Sequence, residues 1–267
     1  MYGTYIQYIS MEKQIQRGGD ERGGDERGGD EREGDERWGD ERGNTKRVPK
    51  LYYITLATKP HHVLYKLQER IPEIIIFGKE EDRQIGWNGS QNFGLKLQTV
   101  SNFVNRHPLY PDDIVLFTDA YDVACCGSLT ELLKRFKTFH KPIVFGAEAF
   151  CNPDPQMAAK YKNAHDYEFP YLNSGFFIGY VWALQYCISA YEYNDGDDDQ
   201  RYWTKQYLEN TDLIELDYFN RMVLNTAGMD NNEFAYKKEE NRATYRSRNP
   251  LFVHVNGPDK RPIEEFL

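Results

Sequence analysis

The sequence predicts an α/β fold built on a mostly parallel, doubly wound sheet, and three observations lead there. From Leu51 onward, short apolar runs alternate with stretches of helical spacing. The runs are short and nearly uninterrupted, as buried strands are. One of them, Ile114-Val115-Leu116-Phe117, empties into two carboxylates, Asp119 and Asp122. Ligands of open α/β sheets sit just beyond the carboxyl ends of the strands.

The elements follow in order. Leu51 to Leu56 reads as the first strand. His62 to Arg70 carries Val63 and Leu67 at helical spacing, and Pro72 stops it. Glu73 to Phe77 holds Ile74-Ile75-Ile76, a second buried strand, and 78–89 is a polar, charged loop. Gln91 to Arg106 is predicted helical, with Phe93, Leu97, Val100 and Val104 on one face. The strand ending at Asp119 comes next. Ser128-Leu129-Thr130-Glu131 is a capping box that opens a helix through Phe136. Pro142 to Gly146 is the following strand. Past Phe150 the alternation loosens, as expected of loops and short strands that build a second half.

Four segments carry candidate chemistry. Two oxygen ligands at the end of a rigid strand suit a hard divalent cation such as Mg²⁺ or Mn²⁺. In isolation Asp-x-x-Asp is more often a solvated surface turn. Leu172-Asn173-Ser174-Gly175 reads as a turn leading into an apolar strand and offers amide and hydroxyl groups beside a backbone that can approach a ligand closely. Asp195-Gly196-Asp197-Asp198-Asp199-Gln200 is a self-repelling acidic run, and part of it suits a helix start. Phe252-Val253-His254 delivers a histidine at a strand end, followed by Asn256-Gly257-Pro258 and Lys260. A lone histidine is usually structural, but one at a strand end can complete a two-aspartate metal site.

Composition narrows the classes. The 267 residues carry a formal net charge of −9, and no basic stripe is present, which disfavours nucleic acid as a partner. From Arg17 the unit Arg-Gly-Gly-Asp-Glu recurs, with arginines at 17, 22, 27, 32, 37 and 42. Glycine and alternating charge form no apolar face, so residues 1–47 are expected to be a disordered low-complexity tract. Each arginine travels with Asp-Glu, which argues against a nucleic-acid arm. Residues 48–267 form one domain, and 20 Tyr and 15 Phe in the whole chain supply ample core material. No apolar run approaches the ~18 residues of a membrane span, and the first residues lack a signal-peptide pattern. Cys125, Cys126, Cys151 and Cys187 show neither zinc spacing nor a disulfide framework, which fits reduced, mostly buried thiols and a cytoplasmic setting (host cytoplasm or virion if the chain is viral).

Taken together, four blocks resemble the glycosyltransferase domain of the collagen lysyl hydroxylases (procollagen-lysine dioxygenases). They are Asp-x-Tyr-Asp-Val at 119–123, Leu-Asn-Ser-Gly at 172–175, the acidic run ending Asp-Asp-Gln at 198–200, and His-x-Asn-Gly-Pro-x-Lys at 254–260. The opening strand Ile54 to Thr58 and Glu148-Ala149-Phe150-Cys151 are similar as well, so the likeness spans about residues 50–262. Stand-alone relatives in giant viruses are an especially close comparison. The resemblance implies a GT-A fold, a UDP-sugar donor and Mn²⁺, with Mg²⁺ as the alternative ion. It implies Asp119, Asp122 and His254 as metal ligands and Tyr121 as the ring that stacks on uracil. It points to Thr55, Thr58, Asn173, Asn256, Gly257 and Lys260 as donor contacts, and to Asp198 and Asp199 as residues required for transfer. It further implies glucose transfer from UDP-glucose to a collagen-like polypeptide at galactosylhydroxylysine or hydroxylysine, with UDP-galactose as the alternative donor.

The chain departs from the family at three places. Gln91-Asn92 stands where the family has Gln-Lys, and the nearest lysine, Lys96, lies about one turn on. Asn152 stands where the family has a tryptophan on the acceptor side, and Trp87 is a loose match to a donor-loop aromatic. The family's iron- and 2-oxoglutarate-dependent hydroxylase domain has no room here, so lysine hydroxylation is expected to be absent. Two rivals stand outside the transferases that the resemblance implies. A haloacid-dehalogenase-type phosphatase also places aspartates after a buried strand, but its spacing is Asp-x-Asp. A non-catalytic collagen- or nucleotide-binding module is the other.

Overall fold

The computed structural model describes residues 37–39, 45–86, 92–162, 164–257 and 263–267. Two units divide after Val48. In the N-terminal unit, β1 (Arg37–Gly39) pairs antiparallel with β2 (Thr45–Arg47). The rest of the tract, Trp87, Gln91 and Lys260 lie outside the described residues.

The second unit is built on a six-stranded sheet. Its strands are β3 (Leu51–Leu56), β4 (Ile75–Phe77), β5 (Ile114–Asp119), β7 (Ile143–Glu148), β8 (Tyr171–Tyr180) and β9 (Ile214–Leu216), in the order β4-β3-β5-β8-β7-β9. Neighbouring pairs are parallel except at β8, which runs antiparallel to both β5 and β7. The sheet is therefore mixed and mostly parallel. Along β5, Val115 and Phe117 enter one core, while Ile114 and Leu116 enter the other. Burial on both faces is why the run is apolar without alternation.

Helices cover each face. α2 (Gly94–Arg106), α4 (Val181–Ile188) and α5 (Asp199–Glu209) supply Leu97, Val100, Phe103, Leu184, Ile188 and Trp203 to the first core. α1 (His62–Arg70) and α3 (Leu129–Phe136) supply Leu67, Leu132 and Phe136 to the second. The Ser128 hydroxyl accepts from the Glu131 N–H at 3.2 Å, so the predicted cap forms. A second, three-stranded sheet orders β10 (Val223–Asn225), β13 (Phe252–His254) and β6 (Val123–Cys125). β11 (Phe234–Lys237) and β12 (Arg242–Tyr245) form a hairpin.

Two elements differ from the sequence reading. α2 begins at Gly94, after Asn92 adopts φ 38°, a left-handed conformation that cannot continue a helix. The close approach of the 194–195 backbone also requires Gly94, because a Cβ there would lie 1.9 Å from the Asn194 carbonyl oxygen. Leu172 to Gly175 is not a turn before a strand but part of β8, in the middle of the central sheet. Its register against β7 jumps from Phe145↔Phe177 to Gly146↔Asn173, so Ser174 to Phe176 bulge away from β7. The bulge lies beside the end of β5.

Candidate metal and donor site

Asp119 ends β5, and Asp122 immediately precedes β6. β13 pairs antiparallel with β6, placing His254 opposite Val123, and the Val255 N–H donates to the Asp122 carbonyl at 2.8 Å. Two separate sheets thus bring the three side chains together. The His254 Nε2 lies 3.5 Å from Asp122 Oδ1 and 3.9 Å from Asp119 Oδ2. One potential ligand atom from each lies within 4.8 Å of the others, the one such cluster among the described residues.

The histidine's tautomer follows from its neighbours. Asn225 donates Nδ2–H to the Ala147 carbonyl at 2.8 Å, so its Oδ1 faces His254 Nδ1, also at 2.8 Å. Nδ1 therefore carries the proton and Nε2 presents its lone pair toward the aspartates. Gly175 leaves room for this ring, since a Cβ would meet His254 Cε1 at 2.3 Å and Asp119 Oδ2 at 3.0 Å. Two carboxylates, one oriented imidazole and a cradle without a side chain fit a divalent cation of the Mn²⁺ or Mg²⁺ type.

Lys96 enters the same cluster from α2. Its Nζ lies 2.7 Å from Asp119 Oδ1 and 3.5 Å from Asp199 Oδ2. Burial works against its charge, but Asp119 and Asp199 outweigh burial and hold its pKa above the ordinary lysine value. Asp199 is buried at the first position of α5 and accepts from the Ser174 hydroxyl at 2.8 Å. Burial raises its pKa, and Lys96 opposes that rise. Asp198 has a different position. It caps α5 by accepting from the Arg201 N–H at 3.0 Å, with the Arg201 guanidinium 3.6 Å away. Gln200 fastens the helix to the bulge, accepting from the Ser174 N–H at 2.7 Å and donating to the Leu172 carbonyl.

Glu148, at the end of β7, ties two more segments in. It accepts from Asn173 Nδ2 at 3.1 Å and from Asn256 Nδ2 at 3.0 Å. Burial pushes its pKa up to about 7, against the opposing pull of the Asn173 and Asn256 amides. Asn256 also accepts from the Ala227 N–H at 3.0 Å, and Gly257 follows at φ 83°. The Asn173 and Asn256 amides are thus committed to Glu148 and to backbone, holding β8 and the turn after β13 together.

At the other rim, the half-buried Tyr121 accepts from the Lys59 N–H at 2.9 Å, and its ring centroid lies 5.1 Å from that of His61. Thr58 is buried one residue before Lys59. Thr55 is fully buried and donates its hydroxyl to the Thr118 carbonyl at 2.7 Å, a bond internal to the sheet. Asn225, Lys96 and Glu148 take site positions that the motif reading did not assign. A polar residue ending an otherwise apolar run, as Asn225 ends Met222-Val223-Leu224 and Glu148 ends the run from Ile143, was the available signal.

Comparison with known proteins adds a family. The profile of the PLOD GT domain matches residues 47–266. A Caenorhabditis elegans protein named multifunctional procollagen lysine hydroxylase and glycosyltransferase is 31% identical over 233 residues, covering 80% of this chain and 31% of that protein. The human LH3 protein of the same name is 33% identical over 175 residues, covering 62% of this chain and 23% of its own length. A chicken procollagen-lysine,2-oxoglutarate 5-dioxygenase 1 is 31% identical over 236 residues, covering 81% of this chain and 31% of its own. The chain therefore spans between about a quarter and a third of these relatives. Among solved structures, mouse xyloside xylosyltransferase 1 aligns at TM-score 0.44 and 12% identity over 80% of this chain and 99% of its own. The galactosyltransferase LgtC aligns at TM-score 0.42 and 13% identity over 80% and 93%.

Proposed function

The chain belongs to the PLOD GT domain family, and on that premise we propose that it is a UDP-sugar-dependent hexosyltransferase acting on collagen-type hydroxylysine. The donor of this reading is UDP-glucose and the acceptor a collagen-like polypeptide bearing galactosylhydroxylysine. The observation that carries it is the Asp119, Asp122 and His254 cluster, its imidazole oriented by Asn225. A phosphatase of the haloacid-dehalogenase type has no place for the histidine or for the Asp-x-x-Asp spacing.

A divalent ion, Mn²⁺ in this reading, would be held by Asp119, Asp122 and His254 and would neutralise charge developing on the departing diphosphate. Lys96, beside Asp119, adds a fixed positive charge on the same side. Tyr121 offers its ring to the uracil, with Thr58 and Thr55 at the strand end behind it. The segment Asn256, Gly257 and Lys260 is assigned to the diphosphate, with Glu148 bracing Asn256 and Asn173. Asp199 stabilises cationic character at the anomeric carbon and positions the acceptor hydroxyl, and Asp198 supports it by fixing the start of α5.

The test is UDP release from a panel of UDP-sugars, with and without Mn²⁺ and a collagen acceptor carrying galactosylhydroxylysine. Acceptor-stimulated release from UDP-glucose, abolished in Asp122→Ala, is the expected result. Preference for UDP-galactose would transfer the reading to the galactosyl step. No release from any donor, with UDP still bound, would leave a nucleotide-binding module.

A further inference from the structure

We propose that the cavity between α3 and the loops preceding β10 and β13 binds a phosphate dianion, free or as a monoester. It has a volume of about 370 Å³ and is lined by Lys134, Arg135, Arg221, Arg248 and Asn249, with Glu131 and Thr138 at its edge. Arg221 and Asn249 precede β10 and β13, whereas Asn225 and His254 end those strands. The cavity is therefore separate from the metal and donor site, and the proposal does not rest on the transferase reading.

Charge is the first argument. The chain carries a formal −9, yet four cations line this one cavity. Glu131 is spent on Arg135, with Nε to Oε1 at 2.9 Å. Lys134, Arg221 and Arg248 form no ion pair among the described residues, so with Glu131 and the nearby buried Asp217 both counted against the four cations a positive surplus of two remains.

The second argument is preorganisation. Arg135 Nη1 donates to the Arg221 and Asn249 carbonyls, fixing both loops to α3. Asp217 accepts from the Arg221, Met222 and Val223 N–H groups, so the backbone under Arg221 is held as well. The Arg221 guanidinium lies 5.0 Å from the Phe139 ring centroid and donates to Thr138 Oγ1, and that of Arg248 lies 4.9 Å from the Phe219 centroid. Stacking on an aromatic face occupies the plane of a guanidinium and leaves its N–H edge for an oxyanion. Asn249 accepts from Arg242 Nε through Oδ1 at 2.8 Å, so its Nδ2 remains as a donor. An ammonium, two guanidinium edges and an amide from three segments match a tetrahedral dianion with several oxygens.

The full chain is titrated by calorimetry with inorganic phosphate, a phosphoserine peptide and adenosine monophosphate, against chloride at equal ionic strength. Saturable binding of at least one phosphate species is expected, and the tightest of the three identifies the source. Arg221→Gln/Arg248→Gln is expected to weaken it at least about tenfold, the scale of losing charge-assisted hydrogen bonds, while UDP affinity is unchanged. Lys134→Glu, on an exposed helical position, provides a second variant with the same expected loss should the double variant fold poorly. Absence of phosphate binding above the chloride control, or equal affinity in Lys134→Glu and the wild type, overturns the proposal.

Discussion

The Asn225 amide decides which imidazole nitrogen of His254 can take a cation. Its Nδ2 is committed to the Ala147 carbonyl, so its Oδ1 is the acceptor for Nδ1–H. Removing that acceptor frees the ring to rotate or change tautomer. Asn225→Ala is expected to weaken Mn²⁺ binding by about 10–100-fold, the usual effect of losing such a partner. Manganese titration followed by electron paramagnetic resonance measures this, and equal affinity in Asn225→Ala would remove Asn225 from the site. Asp199 presents a different case, because Lys96 links it to Asp119. Asp199→Asn keeps its size and removes its charge. Turnover is expected to fall at least about a hundredfold, the scale of one electrostatic group, with UDP-sugar affinity nearly unchanged. If affinity falls in step with turnover, Asp199 serves the donor or metal and the division of roles fails.

Among the elements, the segment from Asp217 to β10 stores a pH-dependent term. Asp217 is fully buried, and burial raises its pKa to about 6 against three backbone N–H groups that lower it. The native state therefore holds a proton that the unfolded chain, near 3.8, has released. The resulting stabilisation is complete below pH 3.8 and disappears as pH rises through 6, a span of about 3 kcal/mol. Urea unfolding at pH 4, 5, 6 and 7 should show Asp217→Asn with a flatter profile than the wild type over that window. Parallel profiles would show that Asp217 does not carry the term. The sequence revealed strands and helices where periodicity was strong and local, as in β3, α1, β5 and α3. It could not reveal that β8 runs antiparallel, because an apolar strand buried on both faces carries no mark of direction. It likewise missed the late start of α2, which depends on Asn92 turning left-handed and on Gly94 meeting the 194–195 backbone, a contact across about a hundred residues. Of the site, the strand-end aspartates and histidine were legible because chemistry and position coincide there. Asn225 and Glu148 were not, since their role lies in partners distant in sequence.

For the whole molecule, the division after Val48 separates two kinds of sequence. The Asp119, Asp122 and His254 cluster, Lys96, Asp199 and the Glu148 network all belong to the second unit, and both large apolar cores are composed of residues from it. The Arg-Gly-Gly-Asp-Glu repeat consists of glycine and charge, with two carboxylates to each arginine, a composition that offers no apolar surface to offset the entropy of ordering it. The repeat should therefore add little to stability or to donor binding. A chain beginning at Arg47 is expected to keep its thermal midpoint, its affinity for UDP and its specific activity toward a soluble acceptor. Differential scanning calorimetry and UDP-release rates on the two chain lengths make the comparison. A lowered midpoint would mean that the tract packs on the domain, and a lost rate with an unchanged midpoint would place it in acceptor capture. Either result would overturn the view that the second unit binds UDP and supports the proposed transfer without the tract.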